Sequence, residues 1–429
     1  MSSSIRVIVR YIAVMVSLAA LGVSGVVAGA LPASAAGNHS AAEPASSPGG
    51  SGSVAASSKA GGDAVSGTNH AFDSDSCPVA TFCMAVGDYD LSGHVPGLSE
   101  VLHGGTWIVK PVPSPSRGVN VFANEVSCSS AKSCLFVGTH WAGSNGAGAN
   151  LAEAWNGSSW RIIAAAVPAG ATYAGLDDVA CPNSKFCLVI GVAGTTASRY
   201  HDTAYTWTDG TTWRQIPVPS PTGARNSELA GLACSDAAHC MAIGNYTSAT
   251  GRYLPFAARW TSGRWRLLAI PAIPGQLQVN MNGVSCPRAS ECVAVGWTED
   301  NTKQEYYHAF VERWSGGAWH LSTLRHAPSV LLGVSCPAAG RCVASGYTFP
   351  SVTGYAHQLI EAWNGSSWAT QQPAQTAGLG GVLVHVSCAG AAFCEAVGFS
   401  FVPGKSNSDK AITEVWDGHR WRGQVTPNP

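Results

Sequence analysis

Residues 331–346 have the sequence LLGVSCPAAGRCVASG, and this stretch decides the fold because its pattern occurs seven times in the chain. An apolar run leads into a first cysteine, five residues follow, and a second cysteine begins a run that reaches a glycine four residues later. The first cysteines recur every 50 to 53 residues. The 429 residues therefore contain one structural unit repeated seven times, rather than several unrelated domains.

Six of the seven repeats also carry two tryptophans downstream of the cysteines, on either side of a short turn. These pairs are Trp155 with Trp160, Trp207 with Trp213, Trp260 with Trp265, Trp314 with Trp319, Trp363 with Trp368 and Trp416 with Trp421. In the first repeat Leu102 and Trp107 occupy the two positions. Turns such as Asn156-Gly157 and Asp417-Gly418 are strong β-hairpin signals. Each repeat is therefore predicted to form four strands, two before and two after a central loop.

A four-stranded sheet of this size cannot cover both of its faces, whereas seven sheets packed face to face around an axis can. The sequence therefore predicts an all-β, seven-bladed β-propeller of four-stranded antiparallel blades. The alternative is a linear array or a β-solenoid, which usually has shorter repeats and needs polar caps. The predicted repeats lie near 71–120, 121–173, 174–226, 227–279, 280–329, 330–381 and 382–429.

The N-terminal residues predict export. Arg6 and Arg10 precede an uncharged stretch, and Ala33-Ser34-Ala35 then provides a cleavage pattern. Residues 1–35 are interpreted as a signal peptide cleaved after Ala35, with an uncleaved membrane anchor as the alternative. Residues 36–70 are rich in Ala, Ser and Gly and predict a disordered linker, leaving 71–429 for the propeller. The mature chain is then secreted, without a membrane span.

The turn Thr208-Asp209-Gly210-Thr211-Thr212-Trp213 resembles an Asp-box, the turn of BNR or sialidase-type repeats and of propeller-shaped photosystem II assembly factors. A tryptophan at this place is also similar to kelch repeats. The resemblance implies a propeller over residues 72 to about 425, although only Asp209 and Asp417 supply an acid at the turn. Since propellers host many functions, the resemblance implies no enzymatic activity.

The cysteines predict one disulfide at the base of each first hairpin. Directly opposed strand residues lie close enough for a disulfide, and zinc or redox sites favour other spacings. Each bond closes a short loop and is expected to contribute about 2 kcal/mol. The predicted pairs are Cys77 with Cys83, Cys128 with Cys134, Cys181 with Cys187, Cys234 with Cys240, Cys286 with Cys292, Cys336 with Cys342 and Cys388 with Cys394. No cysteine remains for a metal, and no metal or cofactor site is predicted.

Composition and motifs exclude several functions. Only 11% of residues are charged and the net charge is −1, so the basic surface of a nucleic-acid binder is missing. No metalloprotease, serine-hydrolase or phosphate-binding motif occurs, and no catalytic residue is predicted. Five glutamates recur two positions before the first tryptophan position, which favours a structural role as hydrogen-bond acceptors at blade contacts. They are Glu100, Glu153, Glu312, Glu361 and Glu414.

The loops between the second and third strands, together with the blade connections, should form the face that carries function. Aromatic residues follow the glycine of the second strand in six repeats, and a ring of them would suit binding to sugars or peptides. The alternative is that they pack the loops against the core. The candidate ligand-binding residues are Tyr89, Trp141, Tyr246, Trp297, Tyr347, Phe399, Arg252, Tyr306 and His308.

These features favour a secreted, non-enzymatic binding or scaffold protein that recognises an extracellular glycan or protein. The alternative is a propeller carbohydrate-active enzyme, of sialidase, glycosidase or lyase type, with catalytic acids on the same face. A sialidase site would need converging arginines such as Arg199 and Arg252 beside Glu305 and Tyr306, which a sequence cannot demonstrate. The oligomeric state is not predicted.

Overall fold

A computed structural model describes residues 69–427, except 92–93, 117–118, 142–147, 197–198, 272, 274–275, 301–306, 325–327, 350–353, 375 and 406. The described part of the chain contains 28 strands and no helix. Consecutive strands pair antiparallel in groups of four, which makes seven blades. Blades 4 and 5 are joined into one eight-stranded sheet by a single parallel bridge, from Tyr253 to Gln278. The predicted seven-bladed β-propeller is therefore confirmed.

The first four blades follow one another along the chain. Blade 1 contains β1 (His70–Val79), β2 (Phe82–Tyr89), β3 (Gly97–His103) and β4 (Thr106–Val109). Blade 2 contains β5 (Asn120–Ser130), β6 (Ser133–Trp141), β7 (Gly148–Trp155) and β8 (Trp160–Ile162). Blade 3 contains β9 (Tyr173–Asn183), β10 (Phe186–Thr196), β11 (Arg199–Thr208) and β12 (Thr212–Ile216). Blade 4 contains β13 (Asn226–Asp236), β14 (His239–Thr247), β15 (Tyr253–Thr261) and β16 (Arg264–Leu268).

The last three blades repeat the same order. Blade 5 contains β17 (Gln276–Arg288), β18 (Glu291–Asp300), β19 (Tyr307–Ser315) and β20 (Ala318–Thr323). Blade 6 contains β21 (Ser329–Ala338), β22 (Arg341–Thr348), β23 (His357–Trp363) and β24 (Trp368–Gln371). Blade 7 contains β25 (Gly380–Gly390), β26 (Phe393–Phe401), β27 (Lys410–Trp416) and β28 (Trp421–Gln424).

The ring closes where blade 7 packs against blade 1, and among the described residues the two blades share no strand. Asp73 and Asp75 interrupt the apolar pattern of the first repeat, yet β1 is a ten-residue strand like its counterparts. The indole NH of Trp107 in blade 1 donates to Gln424 in blade 7 at 2.6 Å. The same contact joins Trp421 to Gln371 of the preceding blade at 2.7 Å, so the ends meet much as neighbouring blades do.

All seven predicted disulfides are present, and the described residues contain no free cysteine. The paired Cα atoms lie 3.9 to 4.2 Å apart, because the two cysteines face each other across the first hairpin. The bonds join Cys77 to Cys83, Cys128 to Cys134, Cys181 to Cys187, Cys234 to Cys240, Cys286 to Cys292, Cys336 to Cys342 and Cys388 to Cys394, as predicted.

The two ends of the strands carry different features. In every blade the disulfide at the first hairpin and the turn between the third and fourth strands lie at one end. The loops between second and third strands lie at the other end, which we call the loop face. The rigid, disulfide-linked end therefore leaves the loop face as the place where the repeats can differ.

A ring of serines ties the blades together beside the disulfides. In five blades the serine before the first cysteine accepts a hydrogen bond from the amide of the first cysteine of the next blade, at 2.9 to 3.0 Å. The pairs are Ser76 with Cys128, Ser127 with Cys181, Ser285 with Cys336, Ser335 with Cys388 and Ser387 with Cys77. Ala180 and Ala233 hold this position in blades 3 and 4. The Ser-Cys dipeptide is thus a local signal of blade-to-blade contact.

The glycine that recurs in every second strand lies opposite a β-bulge in the first strand. The sequence predicted that the second strand ends at this glycine, but β18 continues from Gly296 to Asp300. Opposite Gly296, β17 has a β-bulge between Met281 and Gly283. A Cβ on Gly296 would lie 1.9 Å from the carbonyl oxygen of Asn280. The corresponding distance is 1.9 to 2.2 Å in all seven blades, so the bulge in each first strand requires glycine.

Replacing one of these glycines should therefore be costly. We expect Gly296→Ala to lower the free energy of unfolding by about 3 kcal/mol or more, because the backbone carbonyl cannot move away as a flexible side chain could. Gly390→Ala is the matched control, since a Cβ there meets no atom within 4 Å, and it should change stability by less than about 0.5 kcal/mol. Urea unfolding of the two variants provides the measurement, and equal midpoints would contradict the explanation.

The tryptophans pack both between and within the blades. The two rings of each complete pair lie 5.5 to 6.3 Å apart. In three of the turns the side chain of Asn156, Asn364 or Asp417 accepts the backbone NH groups two and three residues later. The turn at Asp209, which most resembles an Asp-box in sequence, instead closes through a backbone bond from Thr211 to Thr208.

The five recurrent glutamates are all buried. Two of them accept a hydrogen bond from described residues, and Glu414 does so at a contact between blades. Glu414 accepts the amide of Ala374, in the connection from blade 6, at 2.8 Å, and Glu361 accepts Thr370 of its own blade at 2.8 Å. For Glu100, Glu153 and Glu312 the prediction of hydrogen-bond acceptors is wrong, since no described residue donates to their carboxyl oxygens. Burial raises the pKa of Glu100 and Glu153 to about 8 and that of Glu312 to about 7. Glu100 and Glu153 are therefore largely uncharged at neutral pH, and Glu312 titrates close to neutral pH.

Candidate functional site

The first strands of the seven blades surround a cavity of about 260 Å³ on the propeller axis. Its lining includes six carboxylates and one histidine, and the described residues that line it include no lysine or arginine. The acids are Asp73, Asp75, Glu125, Asp177, Asp178 and Glu228. All six come from blades 1 to 4, whereas blades 5 and 6 contribute uncharged residues such as Asn282 and Leu332. The cavity is therefore negatively charged on one side.

His385 is the basic group in this cavity, and it stands between two carboxylates. Its Nδ1 lies 2.8 Å from Oδ1 of Asp75, and its Nε2 lies 3.8 Å from Oε1 of Glu125. Burial alone would lower the pKa of His385, but the charge of Glu125 and the bond to Asp75 outweigh it and hold the pKa at about 9. Burial raises the pKa of Asp75 to about 6, against the opposing effect of His385. At pH 7 the two side chains therefore form an ion pair.

A second group of acids lies where the cavity approaches the loop face. The hydroxyl of Tyr200 donates to Glu228 at 3.4 Å. Burial, together with the charge of Asp202, raises the pKa of Glu228 to about 7. Asp202 itself accepts the hydroxyl of Ser227 and the amide of Leu229, the latter at 2.7 Å. Because Asp202 belongs to blade 3 and its donors to blade 4, it helps to join the two blades.

The six candidate aromatics do not share one apolar cluster. Trp141 is partly buried against Tyr173, with ring centroids 5.7 Å apart. Tyr246 packs at 6.1 Å against Phe256. Tyr89 is partly buried against the core between blades 7 and 1. These contacts match the alternative interpretation, in which the aromatics hold the loop face against the core.

The other three aromatic candidates come together across blades 5 to 7. Trp297, Tyr347 and Phe399 share one apolar cluster, in which Tyr347 and Phe399 are each 3% exposed and Trp297 is partly buried. We call the aromatic residues of this group the aromatic cluster: Trp297, Tyr307, Tyr347, Phe349, Tyr355, Phe399 and Phe401. Phe399 also lines the central cavity, so the aromatic cluster lies beside it.

The edge of the aromatic cluster is open to solvent at the loop face. Trp297 and Tyr307 flank the loop of blade 5 and meet edge to face, with centroids 4.9 Å apart. Tyr355 stacks on His357 at 4.9 Å beside the loop of blade 6. All four side chains are partly exposed.

Three further candidates have different positions. Arg252 is exposed, and His308 is partly buried at the start of β19. Tyr306 lies outside the described residues, as do the predicted signal peptide and almost all of the predicted linker. No arginine lines the central cavity among the described residues, so the converging arginines of a sialidase site are not found there.

Sequence reasoning missed the cavity acids and four of the seven residues of the aromatic cluster. Asp73, Asn124, Asp177 and Asn282 all stand four residues before a first cysteine, a register that could have identified them as equivalent positions. No group of three or more His, Cys, Asp or Glu side chains suited to a metal ion occurs in the described residues. In the same part of the chain, no helix has the length and apolarity needed to cross a membrane.

Comparisons with known proteins give a likeness of fold. No protein-family model and no curated protein matches the chain. YCF48 from Cyanidioschyzon merolae is 12% identical, with 81% of this chain and 96% of that one covered and a TM-score of 0.47. An ulvan lyase of a new polysaccharide lyase family is 10% identical, with 84% and 97% covered and a TM-score of 0.49. The fucose-specific lectin from Aleuria aurantia is 11% identical, with 71% and 96% covered and a TM-score of 0.41. The chain is similar to these proteins in architecture, and its own strand topology makes it a seven-bladed β-propeller.

Proposed function

We propose that this chain is a secreted, non-enzymatic binding propeller that recognises an extracellular glycan or protein at its loop face. The aromatic cluster carries the proposal. Aromatic side chains supply large contact areas with few rotatable bonds, and they are enriched where proteins bind other molecules. Trp297, Tyr307 and Tyr355 offer such surfaces in or beside the loops of a disulfide-linked scaffold.

Export is part of the same proposal. Disulfides persist in oxidising surroundings outside the cytoplasm, and this chain has one in each of its seven blades. A signal peptide cleaved after Ala35 would deliver the chain to such a compartment. N-terminal sequencing of the protein recovered from its medium tests the cleavage position.

We expect Trp297→Ala to weaken ligand binding by about tenfold or more, because buried aromatic anchors dominate the energy of most interfaces. The measurement is a binding screen against cell-envelope polysaccharides, glycans and peptides, followed by titration of the best ligand. Trp213→Ala is the matched control, since Trp213 is also partly buried but lies in β12, at the opposite end of the strands. Unchanged binding by a folded Trp297→Ala protein would contradict the role of the aromatic cluster.

The second candidate function is a carbohydrate-active enzyme. The observation that favours it is the pair of carboxylates on either side of His385, since glycoside cleavage commonly uses two acids near one bond. The same screen distinguishes the two functions. Release of reducing ends or unsaturated products from a bound polysaccharide would support the enzyme, and binding without product release would support the binding propeller.

A further inference from the structure

The interface between blade 7 and blade 1 differs from the other six because no stretch of the chain runs from one blade directly into the other. Its ordinary contacts recur at other blade pairs. Ser387 accepts the amide of Cys77 at 2.9 Å, and Trp107 donates to Gln424 at 2.6 Å. We call this interface the seam, and among the described residues it is held by non-covalent contacts alone.

Three side chains at the seam break the sevenfold pattern of the repeats. Asp75 stands two residues before the first cysteine, where the other blades have Val126, Val179, Leu232, Val284, Val334 and Val386. Glu395 follows the second cysteine, where the other blades have Met84, Leu135, Leu188, Met241, Val293 and Val343. His385 stands three residues before the first cysteine and is the sole basic residue at that position in the seven repeats. Asp75 and Glu395 place an acid where the other six repeats have an apolar residue. His385 places a base where no other repeat has one.

These three residues meet at the same interface. The side chain of Asp75 on β1 contacts His385 on β25 at 2.8 Å, across the seam. Glu395 is fully buried on β26. Its counterparts face the following blade: Leu135 and Met241, for example, belong to the cores that blades 2 and 4 share with blades 3 and 5. The position of Glu395 therefore faces blade 1.

We propose that Asp75, His385 and Glu395 form a pH-sensitive clasp, at which the propeller ring opens while the other six blade interfaces stay closed. Six interfaces present an apolar side chain at the position of Glu395, and the seam presents an acid. A buried acid weakens an interface, whereas an ion pair across it strengthens the interface only while both partners are charged. The protonation states of Asp75, His385 and Glu395 therefore determine the free energy of ring closure.

The groups around His385 set the direction of the pH dependence. It faces Asp75 from β1 and Glu125 from β5, and it feels the charge of Asp178 on β9. Burial and the charge of Asp75 raise the pKa of Glu395 well above its ordinary value. The charge of Glu414 also raises this pKa, and the hydrogen bond with Thr413 lowers it.

The pKa values of Asp75, His385 and Glu395 are all raised in the closed ring, so the closed ring binds more protons than an open one. Closure then weakens as the pH rises. The ion pair itself is lost as the pH passes about 9, where His385 becomes neutral among carboxylates.

Hydrogen exchange of the intact, oxidised protein tests the clasp. Between about pH 6 and pH 9.5, after correction for intrinsic rates, we expect β1 and β25 to lose protection by about tenfold relative to β17 and β21. The triple variant Asp75→Val, His385→Gly, Glu395→Val gives the seam the residues of other repeats. It should remove this difference, so that all first strands respond alike. Glu395→Val alone is the simpler variant, and it should reduce the difference if the triple variant does not fold.

Two outcomes would overturn the proposal. In the first, β1 and β25 of the unaltered protein keep the same protection relative to β17 and β21 at both pH values. In the second, a folded triple or single variant retains the full pH difference at the seam. Ligand binding does not enter either measurement, so the clasp stands or falls independently of the proposed function.

Discussion

Reduction of the seven disulfides should unfold the propeller at 25 °C and neutral pH. Each bond closes a loop of five intervening residues and is expected to stabilise the fold by about 2 kcal/mol, through the entropy lost by the unfolded chain. The contribution of all seven is therefore comparable to the whole free energy of unfolding of a typical protein, about 5 to 15 kcal/mol. Near-UV circular dichroism and tryptophan fluorescence, after reduction in mild denaturant, alkylation and dialysis, provide the measurement.

Two controls make this result interpretable. The mass of the unmodified protein should rise by 14 hydrogens on reduction, because all 14 cysteines are paired. A protein carrying Cys286→Ser and Cys292→Ser lacks one bond and should remain folded, with its free energy of unfolding lowered by about 2 kcal/mol. A fully reduced chain that kept the native near-UV spectrum would show that packing alone sustains the fold.

Stability should also fall as the pH rises from 5 to 9, the reverse of what acid-labile proteins show. The carboxyls of Glu100 and Glu153 have a pKa raised to about 8 by burial, and those of Glu312 and Glu414 a pKa raised to about 7. Below an ordinary glutamate pKa of about 4.5 the folded and unfolded states are both protonated, and the full stability is present. Between there and about 8 the unfolded state ionises first, and stability is lost.

The expected size is large because four groups act in the same direction. A shift of one pKa unit corresponds to about 1.4 kcal/mol. If only about a third of the summed pKa shifts of these four glutamates is realised, the free energy of unfolding still falls by about 5 kcal/mol between pH 5 and 9. Urea midpoints at the two pH values measure it in the oxidised protein. Glu153→Gln removes one of these groups and should reduce the slope, whereas Asp236→Asn, an exposed side chain, should leave the slope unchanged. A midpoint that increased with pH would refute the assignment of buried, protonated glutamates.

The elements that the sequence predicted are those in which the contacting residues are close along the chain. The disulfides join cysteines six positions apart, and the turns at Asn156 and Asn364 close within three residues. Strand number and blade number follow from these short units, because each repeat encodes the same hairpins. The β-bulge was missed, since no local pattern distinguishes a glycine that ends a strand from Gly296, which allows a carbonyl to approach it.

The candidate site was less predictable because its parts are far apart in sequence. His385 and Asp75 are 310 positions apart and meet because the ring closes. The acids of the central cavity come from four different repeats, and none of these acids lies in a recognisable catalytic or binding motif. Among the aromatic candidates, Trp297 and Phe399 belong to blades 5 and 7, and the packing of blade 6 between them decides that they share a cluster.

The sequence alone therefore determined the repeat, its four strands, its disulfides and the number of blades, because a periodic pattern specifies the same local structure each time it occurs. Only the tertiary structure decided which residues face the axis, which carboxyls remain protonated and what closes the ring. Those properties depend on the residues that differ between repeats, such as Asp75, His385 and Glu395. Their surroundings exist only after seven blades have assembled around one axis, when burial and neighbouring charge fix their chemistry.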